Sequence, residues 1–269
     1  MVDWAEVRAA IAGLVCVAAF PDGQGGVREL PVQGNRELCK LPPPATALER
    51  AMTNAFVAAN EVIRAWPEEH RRSQEAVAAA TDPTAKLVGA RSAFFSERVV
   101  AVLARRIGPA LAAEGLRCSD CPTPPAVTPR TVAWAELAPY LAAYVWPDPV
   151  VTPRGADGKP SGEPQGSVHM CGGINGIARM TKVDEDLRFT ALLTAFATEA
   201  VFERVPAIFD EVRTEPAYVA LPGDDAKTEY LRAQLGPRVA ADPAVRAGIC
   251  ASLQRFADDT PIRVAECSQ

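Results

Sequence analysis

Four side chains have the types and local spacing that suit a soft metal ion: Cys118 and Cys121 in Arg-Cys-Ser-Asp-Cys-Pro, and His169 and Cys171 in Val-His-Met-Cys-Gly-Gly. A Cys-x-x-Cys turn presents two thiolates to one ion, and tetrahedral zinc takes two further ligands from elsewhere. His-x-Cys in an extended segment directs both side chains to one face. The cofactor implied is structural zinc, because four protein ligands leave no open position for a substrate. The same cysteines have two plainer readings, a Cys118–Cys121 disulfide or thiols with no common role, and the long gap between the halves matches no familiar zinc spacing.

A second chemistry centres on Cys171 alone. Gly172-Gly173 follows it, and a helix starting there would favour the thiolate with its exposed N–H groups, with His169 or His70 as base. That defines the enzyme alternative, thiol- or metal-dependent and built on Cys171 and His169. Its plain counterpart is a tight glycine turn with Cys171 packed beside it. Several other patterns fail on their residues. Cys118-x-x-Cys121 lacks the following His of haem attachment. The His-x-Glu that precedes Pro-Cys-x-x-Cys in nucleobase deaminases is missing. His70 has no second Glu-x-x-His partner for a di-iron bundle. Gly172-Gly173-x-x-Gly176 is not followed by Gly-Lys-Ser/Thr.

The elements that would position these residues read as helices. Aromatics are only 6% of the 269 residues, alanine is abundant, and most β-branched residues are isolated valines, which favours helix over sheet. Asp3 and Glu6 form a capping-box pattern at the start of an apolar stretch, so Met1–Phe20 reads as a buried helix. Acidic residues precede that stretch where a secretory leader carries positive charge, so it is not read as a leader. Leu48, Met52, Phe56, Ala59, Ile63 and Trp66 recur at helical spacing over Thr46–Trp66. Pro67 opens a helix to about Ala80. Asp82-Pro83 starts a long one through Phe94 and Ile107, interrupted at Pro109 and ended by Gly115. Further helices are expected over Thr131–Trp146, over Asp184–Arg213 with a kink at Pro206, and over Asp224–Leu235 and Asp242–Phe256.

The fold class expected is therefore all-α: an irregular bundle of about seven helices with Pro/Gly-rich loops and a small β-hairpin near 27–41. The whole chain, 1–269, reads as one helical domain with irregular insertions at 21–44, 116–130 and 147–175. The tract from Pro147 to Gly166 is longer than a plain connection, so it is either mobile or pinned.

Charge narrows the partners. A net charge of −5 and no dense Lys/Arg run argue against nucleic acid and against an anionic membrane surface. No apolar run reaches the roughly 20 residues that span a bilayer. Cys16 and Cys250 lie among apolar residues and read as buried small hydrophobes, whereas Cys39 and Cys267 lie where a bridge is open to them. The expected compartment is the cytoplasm, replaced by a secreted or periplasmic location if the cysteines are disulfide-bonded. With two histidines and no assembled acid–base set, the functional expectation is a non-enzymatic helical interaction or assembly protein. It would bind a protein partner or itself, with the loop Pro147–Gly166 as the binding arm.

Overall fold

The protein is seen in a computed structural model that describes residues 1–269 apart from 24, 170–179, 181 and 269. It is mostly helical, and the described residues form eleven helices and six short strands. The chain divides into two compact units, Met1–Ala126 and Val127–Gln269.

The first unit opens with α1 (Trp4–Ala12), capped as expected by Asp3, whose side chain accepts from the Glu6 amide while Glu6 returns the bond. The helix does not run on to Phe20. Gly13 ends it, and Val15–Pro21 forms strand β1, antiparallel to β2 (Val27–Gln33). Val15, Val17 and Phe20 are residues that suit a pleated strand, and the neighbouring β2 supplies the ladder an isolated helix turn would lack. A hairpin does exist, but it joins 15–33 rather than lying within 27–41.

Helices α2 (Ala47–Arg64), α3 (Pro67–Ala79), α4 (Pro83–Phe94) and α5 (Glu97–Ala113) follow. The expected single helix from Asp82 to Gly115 is two, because the Ser96 hydroxyl accepts from the Val99 amide and starts a new helix. Pro109 sits inside α5 without ending it. Gly115, at φ +70°, ends the chain's run here, with the Leu116 amide bonded back to the Leu111 carbonyl. α2 packs on α5, and α3 on α4. Phe56 and Phe94 stack with ring centres 5.6 Å apart in the buried interior of this unit.

The second unit contains β3 (Arg130–Val132), α6 (Trp134–Tyr144), β4 (Trp146–Pro147), β5 (Val168–His169), α7 (Glu185–Phe196), α8 (Glu199–Arg213), α9 (Pro216–Val219), α10 (Gly223–Ala241), α11 (Pro243–Arg255) and β6 (Ile262–Val264). Strand β3 pairs in parallel with β6 and takes Thr131 and Val132 from the expected helix Thr131–Trp146. The expected continuous run Asp184–Arg213 is broken at Ala197 and Thr198, while Pro206 lies within α8. α10 packs against α6 and α8, and α11 against α8. One apolar cluster, including Leu137, Leu141, Val205, Ile208, Leu231, Leu235 and Ile249, forms the core of this unit.

Three disulfides cross-link the chain: Cys16–Cys39, Cys118–Cys121 and Cys250–Cys267. The reading of Cys16 and Cys250 as plain buried thiols is thereby corrected. Strand β1 carries Cys16 beside the loop of Cys39, and α11 carries Cys250 beside the terminal turn Ala265–Ser268 that holds Cys267.

Candidate functional site

Of the four residues read as metal ligands, the structure describes the side chains of Cys118 and Cys121. Cys118 and Cys121 belong to the first unit and are bonded to each other, so neither offers a thiolate. His169 lies in the second unit, in β5, its backbone paired with Trp146. The side chain of His169, and Cys171 altogether, lie outside the described residues. Among the described residues, no three His, Cys, Asp or Glu side chains converge as metal ligands. The zinc reading loses two ligands to a covalent bond.

The Cys118–Cys121 turn does have a structural role. Its backbone forms a parallel bridge between Val2 and Cys118. The Val2 amide donates to the Arg117 carbonyl at 2.9 Å, and the Ser119 amide donates to Val2 at 3.0 Å. Asp120 accepts from the Trp4 amide at 2.7 Å, satisfying one of the donors that the first turn of α1 leaves free.

The long tract from Pro147 to Gly166 is pinned rather than free. Val151 pairs with Gln165, and Arg154 with Pro160. The Val150 amide donates to the Thr228 hydroxyl at 2.8 Å, and the Thr152 amide to Asp224 at 2.7 Å. Arg213 donates to the Pro164 carbonyl at 2.7 Å. The Thr152 hydroxyl and amide bonds hold the Asp224 carboxyl below the usual carboxylate range. A tract tied at both of its strands is a poor fit to an arm that orders only on binding.

A different surface has the composition of a docking face. Phe196 ends α7 and Phe202 lies in the first turn of α8; they are 46% and 47% exposed, with ring centres 6.3 Å apart. The ring of Phe196 is exposed at the end of α7, although Leu193, Thr194 and Ala195 just before it are buried. Phe202 carries the signal that sequence reading missed. The buried stripe of α8 is Val201, Val205, Ile208 and Val212, and Phe202 falls one residue off it. It lies instead on an outer stripe with Glu199, Glu203, Pro206 and Asp210, all exposed and at spacings of three and four. None of Glu199, Glu203 and Asp210 makes an ion pair among the described residues.

The turn beside the two rings is built closely. The Thr198 hydroxyl donates to the Thr194 carbonyl at 2.6 Å and shares a 2.8 Å hydrogen bond with Ser252 on α11. Gly248 lies against the Thr198 methyl with no room for a side chain between them. Ala197, Ala200, Ala251 and Arg255 border an open depression next to this contact. The rings therefore stand on a rigid support, with carboxylates along one side. Such an arrangement can bury apolar side chains of a partner while attracting its cations.

Comparison with known proteins gives no match: no protein family, no curated protein and no solved structure is significantly similar to this chain.

Proposed function

We propose that the chain is a disulfide-stabilised helical interaction protein of an oxidising compartment, and that its α8 face docks a basic, apolar segment of a partner protein. The observation that carries this reading is the Phe196–Phe202 pair, half-exposed beside the exposed carboxylates of Glu199, Glu203 and Asp210. Phenylalanine is a costly residue to leave in water, and paired aromatic anchors dominate the energetics of protein interfaces. Glu199, Glu203 and Asp210 add a negative potential that steers a basic segment and repels an acidic one.

Three disulfides favour a compartment outside the reducing cytoplasm. No helix among the described residues is long and apolar enough to cross a membrane. The acidic balance of the chain, net −5, points away from nucleic acid.

The test uses a synthetic helical peptide with Leu and Lys on one face, labelled for fluorescence anisotropy. Binding is expected to weaken at least tenfold in Phe202→Ala and in Phe196→Ala, and to lose its salt dependence in Glu203→Lys combined with Asp210→Lys. The unfolding midpoint should stay where it is in all of them. A peptide in which Glu replaces Lys should not bind. If the variants bind the basic peptide as the parent does, or if the parent ignores it, the docking face is wrong.

A further inference from the structure

We propose that Cys118–Cys121 is a thiol–disulfide exchange site, opened by a dithiol reductant while the other two disulfides stay closed. Three observations converge on it. The first is ring size. Cys118 and Cys121 are 3 residues apart, against 23 for Cys16–Cys39 and 17 for Cys250–Cys267. Loop-closure entropy scales with the logarithm of ring length, so opening the small ring enlarges the unfolded ensemble roughly ten- to fifteen-fold less than opening either large one. The native fold therefore tolerates the loss of this bond and depends more heavily on the other two.

The second observation is access. Cys118 and Cys121 are half-buried, as are the other four bonded cysteines, but neither lies in a helix or strand, and exposed Arg117, Ser119 and Asp120 surround them. In each of the other two pairs one partner lies in regular structure: Cys16 in the β1–β2 ladder, where it faces Val32, and Cys250 in α11.

The third is consequence. The closed turn holds Val2 through two backbone hydrogen bonds and caps α1 through Asp120. Opening it releases the turn from the start of the chain, which couples the state of the bond to the order of the first helical turn.

The exchange runs in two displacements. The thiolate of a reduced dithiol attacks one sulfur of the pair; a mixed disulfide forms as the Cys118–Cys121 bond breaks, and the departing sulfur takes a proton. The second thiol of the reductant then attacks the mixed disulfide, and the remaining cysteine sulfur leaves and is protonated. Two electrons and two protons have passed to the chain, and the reductant has become a cyclic disulfide.

The oxidised full-length protein, its free thiols first blocked with N-ethylmaleimide, is treated with dithiothreitol without denaturant. Newly exposed thiols are then alkylated at intervals and mapped by mass spectrometry, alongside far-ultraviolet circular dichroism and hydrogen exchange. Cys118 and Cys121 should be labelled at least tenfold faster than Cys16, Cys39, Cys250 and Cys267, with helicity unchanged. The amides of Trp4 and Ser119 should lose protection, and the double variant Cys118→Ser, Cys121→Ser should show the same loss without reductant. Opening of either other pair at a comparable rate, or loss of helicity in step with the labelling of Cys118, would overturn the assignment.

Discussion

A methyl group at position 236 would fall 2.5 Å from the Ala142 carbonyl oxygen. Gly236 is buried within α10 where that helix crosses α6, and its missing side chain is what lets the two backbones approach. The obstruction is a main-chain carbonyl, which cannot rotate away as a side chain would. Gly236→Ala is expected to destabilise the fold by about 2 kcal/mol, the usual scale of overpacking, even though alanine is the better helix former. Chemical denaturation of the variant checks it; a neutral or stabilising result would mean that the helices can part freely. At the same scale, Phe196 and Phe202 show how a one-residue displacement changes a role. Each is an ordinary apolar residue in a helical sequence, and the structure leaves both rings half-exposed beside buried neighbours.

Among the elements, those bounded by a local cap are the ones legible in the sequence. Asp3, Thr46, Asp82, Asp184 and Asp242 each bond an amide two or three residues ahead, so the helix start is written in a single turn. Ser96 does the same, but the apolar spacing continues across it from Phe94 to Val99 and conceals the break. The sequence leaves the tract 147–166 either mobile or pinned, because its tether is non-local: Thr228 and Asp224 on α10. Because the Asp224 carboxyl is held below its ordinary value, its contribution is complete above the usual carboxylate range and fades as pH falls through the lowered value. Exchange protection of the Thr152 amide should therefore decline in acid. That of Val150, bound to a neutral hydroxyl, should decline less. Asp224→Asn should abolish the difference between the two amides' pH profiles; amide exchange followed by mass spectrometry or NMR reads it. Parallel profiles in the parent protein would remove Asp224 as the tether.

The whole molecule consists of two compact units, and the core of the second is drawn from Val132 to Val264 alone. A fragment covering 127–269 has its own apolar cluster, the β3–β6 pairing and the Cys250–Cys267 bond. Expressed under oxidising conditions, it should fold by itself and unfold cooperatively on heating; a fragment without a cooperative transition would show that the second unit depends on the first. What the sequence by itself determined is local. The helical class and the capped helix starts follow from hydrogen bonds and apolar spacing that span a few residues. The zinc reading of Cys118, Cys121, His169 and Cys171 needed more than spacing, since a thiol's partner depends on which sulfur the fold brings near it. Only the tertiary structure paired Cys16 with Cys39 and Cys250 with Cys267, joined Arg130–Val132 to Ile262–Val264, and left two phenylalanines in solvent. Those outcomes depend on burial, which is a collective choice among all the faces that could pack, whereas a cap is settled by the residues of one turn.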